Sequence, residues 1–168
     1  MVMIALLAAA LIPSTPDLGT AAGRCRPNES GPSFLIHVVG LKDRQGNLKA
    51  EVYPDNNKDF LQDDNILVSE GKTFRRVVIP VTQSGPVVLC IRVPERGPYA
   101  LSLMHDRNAN NKMNLSSDGV GFPGDPHLCW SQPKANEATA VAGNGPTPIT
   151  ITMQYRHGLF CFSPLKKK

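Results

Sequence analysis

His105-Asp106-Arg107-Asn108-Ala109-Asn110-Asn111-Lys112 is the stretch whose residue types and spacing point most directly to chemistry. Asp106, Asn108 and Asn110 alternate with other residues, and their side chains end in hard oxygen donors. A tight loop turns such a set inward around a Ca²⁺-sized ion, with the backbone carbonyl of Lys112 as a further ligand. The position that calcium loops reserve for glycine holds Asn111, and the bidentate acidic position holds Ser117, with Asp118 one residue late. So few carboxylates imply a weak, extracellular-type affinity. The rival reading needs no ion. Asn and Asp tolerate left-handed backbone and bond their own main chain, so the run is also what a long structural loop requires. The structural loop is the favoured reading, with His105 bracing it.

Other candidate chemistry is thinner. The four histidines, His37, His105, His127 and His157, are not spaced as a local zinc pair. His105 next to Asp106 could serve a hydrolase only with a nucleophile, and Ser102, Ser116, Ser117 and Ser131 lie in no Gly-x-Ser-x-Gly elbow. The pairs Asp63-Asp64 and Asp118/Asp125 are read as solvated turn acids rather than as a glycosidase pair. Trp130, the only tryptophan, follows Cys129 and is expected to pack on a disulfide rather than to form a sugar platform.

Composition narrows the class. The chain has 168 residues, enough for one domain with a sizeable core. Fifteen prolines spread along it disfavour long helices. The net charge is +4, and Lys166-Lys167-Lys168 supplies three of it. No basic stripe with interleaved aromatics appears, so no nucleic-acid partner is expected. Met1 to Ile12 is apolar and ends at Pro13, the length of a signal-peptide core and too short for a transmembrane helix. It lacks a basic start. Thr20-Ala21-Ala22 offers small residues for cleavage before Gly23, so residues 1–22 are read as a leader and 23–33 as a linker. Arg24 before Cys25 argues against a lipoprotein anchor. Cys25, Cys90, Cys129 and Cys161 all lie beyond that point, are even in number and form no CxxC pair. They are read as disulfides in an oxidising compartment, with three pairings open.

The elements that must position these residues are strands. Phe34–Val39, Leu48–Tyr53, Phe74–Val81, Val87–Val93 and Tyr99–Met104 are rich in β-branched or alternating residues and are separated by Gly/Pro/Asn turns. The first two are expected to form a hairpin across Asp43–Asn47, and a helical turn is expected around Phe60-Leu61. Thr139–Val141 is a weak sixth strand. Ile149–Arg156 is the seventh, with Ile149, Ile151, Met153 and Tyr155 inward. About seven strands without a sustained helical period predict a single all-β sandwich over residues 34–156, with a long polar loop after strand five and a C-terminal extension at 157–168.

Together these motifs resemble a bacterial domain-of-unknown-function family, number 2141. The resemblance runs from about Phe34 to Arg156. It rests on Asp59-Phe60-Leu61, on Val93-Pro94-Glu95-Arg96-Gly97-Pro98-Tyr99-Ala100, on the His105–Lys112 loop and on Gly119-Val120-Gly121-Phe122-Pro123. Tyr155–Leu159 resembles the close of an alphaproteobacterial branch. Asn111 for Gly, Asn114 for Asp and Pro123 for Ser depart from the family pattern. The resemblance implies an exported Ig-like or transthyretin-like β-sandwich, with Cys25 paired to Cys90 and therefore Cys129 to Cys161. It supplies no activity.

The function expected is a periplasmic or secreted, non-enzymatic module with a binding or structural role at the cell envelope. Its partner would be an envelope protein or ligand, and no cofactor is expected. The alternatives are a weak calcium-binding module using Asp106, Asn108, Asn110 and Lys112, and a hydrolase using His105 with loop carboxylates.

Overall fold

The structure is a computed structural model and describes residues 11–166. Its elements, in chain order, are α1 Thr20–Gly23, β1 Ser33–Val39, β2 Asn47–Pro54, α2 Asp64–Ser69, β3 Arg75–Pro80, β4 Val87–Arg92 and β5 Gly97–Asp106. There follow β6 Gly119–Gly121, β7 Leu128–Cys129, a 3₁₀ turn at Ala135–Glu137, β8 Thr139–Ala142, β9 Pro146–Thr152, β10 Gln154–His157 and β11 Cys161–Pro164.

Two sheets face each other. The small one runs β4-β1-β9, with β1 and β9 parallel. The large one runs β3-β2-β5-β6-β10-β11-β7, and β8 pairs with the first half of β5. Alternation places Phe34, Ile36 and Val38 of β1 against Leu48, Ala50 and Val52 of β2, Leu101 and Leu103 of β5, and Ile151 in one buried cluster. The outer face of the large sheet has its own core: Tyr53, Phe60, Leu67, Phe74, Phe122 and Leu128, covered by α2 and the loops.

The all-β sandwich is as expected, but three details differ. The first two strands form no hairpin. The connection from Gly40 to Gly46 is too long for a tight turn and carries the chain across the sandwich, so β1 and β2 stack instead of pairing. Stacking buries the apolar face of both.

Among the described residues there are eleven strands rather than about seven. β6, β7 and β11 are too short, at two to four residues, to show a period. The expected seventh strand divides at Met153, whose N–H donates to Val39 O at 2.9 Å before the chain changes sheet. Ile151, Met153 and Tyr155 stay buried across the break, so the alternation outlives the strand.

The turn expected around Phe60-Leu61 is present, closed by Phe60 N–H on Asn56 O at 3.0 Å and ended by Leu61 at φ 61°, and a helix follows it from Asp64.

The described parts of both terminal segments are tied to the sandwich. Within the expected linker, Arg24 bridges to Ile91, and Cys25 is bonded to Cys90. The expected C-terminal extension supplies β11. Of the expected leader, residues 1–10 lie outside the described part, and Thr20–Gly23 is helical.

Candidate functional site

Asp106 ends β5 with its carboxylate buried. Its Oδ1 accepts the Asn110 N–H at 3.2 Å, and Oδ2 accepts that of Asn111 at 2.7 Å. Asn108 Oδ1 accepts Asn110 N–H at 3.3 Å, and Asn110 Oδ1 accepts Lys112 N–H at 2.8 Å. Short polar side chains reach their own backbone in this way and replace the hydrogen bonds that a ladder would supply. Ala109 and Asn111 adopt left-handed φ of 55° and 62° to close the turns.

Asp118, also buried, does the same at the loop's far end. It accepts Arg107 N–H at 3.1 Å, Asn114 N–H at 2.8 Å and the Ser117 hydroxyl at 3.2 Å. Two buried carboxylates therefore clamp the loop from Arg107 to Ser117.

The cation donor set is partly assembled. Asp106, Asn108 and Asn110 occupy one turn, and Asn111 takes the left-handed conformation for which calcium loops use glycine. Against this, the four oxygens of these three side chains are already engaged by main-chain N–H groups. Asp118 serves its own amides, and Ser117 stands at the bidentate position. Among the described residues no three His, Cys, Asp or Glu side chains converge.

His105 braces the loop from below and is 0 % exposed. Its Nε2 lies 2.8 Å from the Gln45 carbonyl and its Nδ1 2.7 Å from the Tyr155 hydroxyl. A carbonyl only accepts, so Nε2 carries the hydrogen. Tyr155 accepts Lys42 N–H at 2.9 Å and gives its own proton to Nδ1. Burial pushes the Tyr155 hydroxyl up to about 12. With both ring nitrogens engaged and no surface open, His105 is not placed to exchange protons with a substrate.

Arg107 ties the same loop to the β1–β2 connection. Its Nε donates to Asp43 Oδ2 at 2.8 Å, its Nη2 pairs with the same oxygen, and its Nη1 donates to Ser117 O at 3.1 Å. Burial works to raise the Asp43 carboxyl, but the Arg107 guanidinium and the Gln45 amide outweigh it and hold the group below its ordinary range. Gly46 lets these segments meet. A Cβ there would stand 2.0 Å from Asp106 O.

A second polar cluster escaped sequence reading. Arg76 and Glu51 are cross-strand partners on the outer face of the large sheet. Arg76 Nε donates to Glu51 Oε1 at 2.7 Å, Nη2 to Asp64 Oδ2 at 2.9 Å, and Nη1 to Thr15 O at 3.0 Å. The Tyr53 hydroxyl donates to Glu51 Oε2 at 2.7 Å. Glu51, Asp64 and Arg76 are all buried. Burial raises the Asp64 carboxyl, but Ser14 and Arg76 outweigh that and hold it low. The only sequence signal was opposite charge at facing positions of neighbouring strands. Beside this cluster, Thr15, Lys49, Asn110, Asn111 and Lys112 line an open cleft of about 230 Å³.

The disulfides are Cys25–Cys90 and Cys129–Cys161, the pairing that the resemblance implies. Trp130 does not pack down on its neighbouring disulfide, as had been expected. It is 78 % exposed and stacked on Phe160.

The two-sheet fold with a carboxylate-clamped loop at the end of β5 defines a disulfide-linked all-β module. Residues 36–150 match the family described as uncharacterized protein conserved in bacteria (DUF2141), and the chain belongs to that family. No curated protein and no solved structure matches it. The matched region ends before β10, so the second disulfide is not spanned by the match.

Proposed function

We propose that the protein is an exported, non-enzymatic module of the Ig-like or transthyretin-like kind, with a binding or structural role at the cell envelope. The observation that carries this reading is the engagement of all four cysteines in two disulfides, which persist in oxidising compartments. Among the described residues no helix is long and apolar enough to cross a membrane. The leader is proposed to be cut upstream of Ser14 rather than before Gly23. Thr15 and Pro16 supply carbonyls to Arg76, and Gly19 packs on Phe74, so removing them would expose a buried guanidinium and an aromatic ring.

Fractionation of bacteria expressing the whole chain, with intact-mass and thiol analysis, tests both parts. The expected result is periplasmic protein without free thiols that begins upstream of Ser14. Reduced cytosolic protein with Met1 intact would overturn the export reading, and a start at Gly23 would overturn the cut.

A second reading, a weak Ca²⁺ brace, is favoured by one observation. Asn111 holds the left-handed turn that lets Asp106, Asn108 and Asn110 share one loop.

A further inference from the structure

Cys129 and Cys161 face each other across β7 and β11, and the next position along that row, on β10, is His157. Directly opposed residues of antiparallel strands share a face, with Cβ atoms about 4.5–5.5 Å apart. His127, two residues before Cys129, brings its Nε2 to 3.8 Å from Cys129 Sγ. Two of the four histidines of the chain thus flank one disulfide. Both cysteines are half-buried, and both histidines are exposed. From Pro126 to the C-terminus the only acid is Glu137, whose carboxylate accepts Lys134 N–H. Asp125, just before this stretch, is turned onto Thr152. Accessible sulfur beside groups that donate protons or carry positive charge is the setting in which a thiolate forms readily.

The same bridge holds an unfavourable backbone. Trp130 has φ 64°, and Ser131 N–H donates across it to Cys129 O at 2.8 Å, the bond of a γ-turn. A bulky residue rarely adopts that backbone, and such strain persists only where its surroundings enforce it. Here the enforcing contacts are few. β7 has two residues and ends the large sheet, paired with β11 alone. Trp130 itself is 78 % exposed. Beyond the buried Leu128, the turn is held by the bridge and by Trp130 N–H on Phe160 O at 3.2 Å. Cutting the bridge releases strain and returns freedom to the turn, and both favour the dithiol form. The other disulfide has neither feature. Cys90 lies within the six-residue pairing of β4 with β1, and Arg24 beside Cys25 is ordinary extended backbone bridged to Ile91. Gly23 is packed so closely that a Cβ there would stand 2.7 Å from Arg76 O. Those sulfurs stay together when their bond is cut, so it re-forms.

We propose that Cys129–Cys161 is an exchange-active disulfide that accepts electrons from a dithiol, whereas Cys25–Cys90 is structural. One thiol of the dithiol, deprotonated, attacks Cys161 Sγ. The S–S bond breaks, and its electron pair leaves with Cys129 Sγ, which a proton on His127 Nε2 stabilises. The second thiol then attacks its partner sulfur in the mixed disulfide, and Cys161 Sγ leaves in turn. Two electrons and two protons pass to the cysteines, which end as thiols, and the dithiol ends as its own disulfide. Opening frees Trp130 from its left-handed turn. The proposal takes from the envelope reading only the compartment in which the dithiol is met. Reduced cytosolic protein would overturn export without touching the order in which the two bonds open in vitro, so the two fail separately.

The purified full chain, with both disulfides formed, is equilibrated in mixtures of reduced and oxidised dithiothreitol. Free thiols are alkylated and mapped by mass. Cys129–Cys161 should open at a ratio of reduced to oxidised reagent at least ~tenfold below the ratio that opens Cys25–Cys90, a difference of about 30 mV. Trp130 is the only tryptophan, and its emission should change along the same curve. His127→Ala should slow the opening several-fold and leave the melting temperature of the oxidised protein unchanged, because that side chain is exposed. With glutathione, a monothiol, the first mixed disulfide should map to Cys161. Both bonds opening together, or Cys25–Cys90 opening first, would overturn the proposal. So would a His127→Ala variant that opens at the wild-type rate, or a first adduct on Cys129.

Discussion

The Tyr155 hydroxyl and His105 Nδ1 lie 2.7 Å apart in a fully enclosed site, on strands separated by β6. The bond closes a chain from Lys42 N–H through Tyr155 and His105 to the Gln45 carbonyl. It links the long connection between the sheets to the base of the Asp106 loop. Each polar atom on this route is satisfied only by the next.

Tyr155→Phe should therefore destabilise beyond the loss of one hydrogen bond. It leaves His105 Nδ1 and Lys42 N–H without a partner, and unsatisfied buried groups cost about 1–3 kcal/mol each. Chemical denaturation should show a shift of that order. The alkaline limb should change too. Tyr155 is raised to about 12, above the ordinary tyrosine value near 10, so the folded state retains a proton that the unfolded state loses. Stability from this group is complete below pH ~10 and falls as pH rises towards ~12. The Phe variant should lose that part of the alkaline decline, and an identical decline in both proteins would contradict it.

Gly46 and Gly71 separate backbone strain from collision. Both have left-handed φ, 71° and 69°. A Cβ at Gly71 meets nothing within 4 Å, whereas at Gly46 it would meet Asp106 O at 2.0 Å and Arg107 Cα at 2.7 Å. Gly71→Ala should cost about 1–2 kcal/mol, the strain alone. Gly46→Ala should cost clearly more, because main chain cannot step aside as a flexible side chain does. Equal melting shifts for the two would mean that the close approach at Gly46 is not rigid.

The Arg76 cluster predicts a strong asymmetry between removing one charge and removing all. Arg76→Met leaves Asp64 buried without its cation and Glu51 with Lys49 alone, 3.6 Å away, and breaking such a group costs about 3–5 kcal/mol. Replacing Arg76, Glu51 and Asp64 together by apolar residues of similar size should cost much less. The native cluster also predicts acid sensitivity. The Asp64 carboxyl is held below its ordinary value of about 3.9, so its contribution is complete above that pH and is lost as pH falls through the lower, folded value. Urea melts of the single and triple variants at neutral and acidic pH measure both effects.

Sequence reading located what repeats and missed what is short or distant. The alternation in β1, β2, β4 and β5 was legible because each has one face in a core. β6, β7 and β11 were not, since two to four residues carry no period and their pairing is fixed by residues far away. The loop's polar character was visible, and its clamping by Asp106 follows from residues within five positions. The Arg76 cluster joins residues from Thr15 to Arg76, a relation that only the register of β2 on β3 creates. Exposure of Trp130 was equally out of reach, because its outward turn is set by the Phe160 carbonyl thirty residues on.

The Asp106 loop allows a decisive test between a structural turn and a cation brace. Both give Asp106 a role in stability, because its carboxylate holds the Asn110 and Asn111 amides either way. Asp106→Ala should thus destabilise with or without calcium, and it cannot separate them. Asp106→Asn keeps an oxygen for a backbone N–H but removes the only carboxylate in the Asp106, Asn108, Asn110 set. A site that binds the native state alone, at ten times its dissociation constant, adds about 1.4 kcal/mol. If the loop is a brace, millimolar Ca²⁺ should raise the melting temperature of the wild type over chelator, and Asp106→Asn should abolish the difference. If the loop is structural, the wild type should melt alike in both. We expect the second outcome, because the donor oxygens already have partners within the chain and Asp118 serves the far end of the loop. A calcium-dependent rise that Asp106→Asn removes would reverse that expectation and make the ion part of the fold.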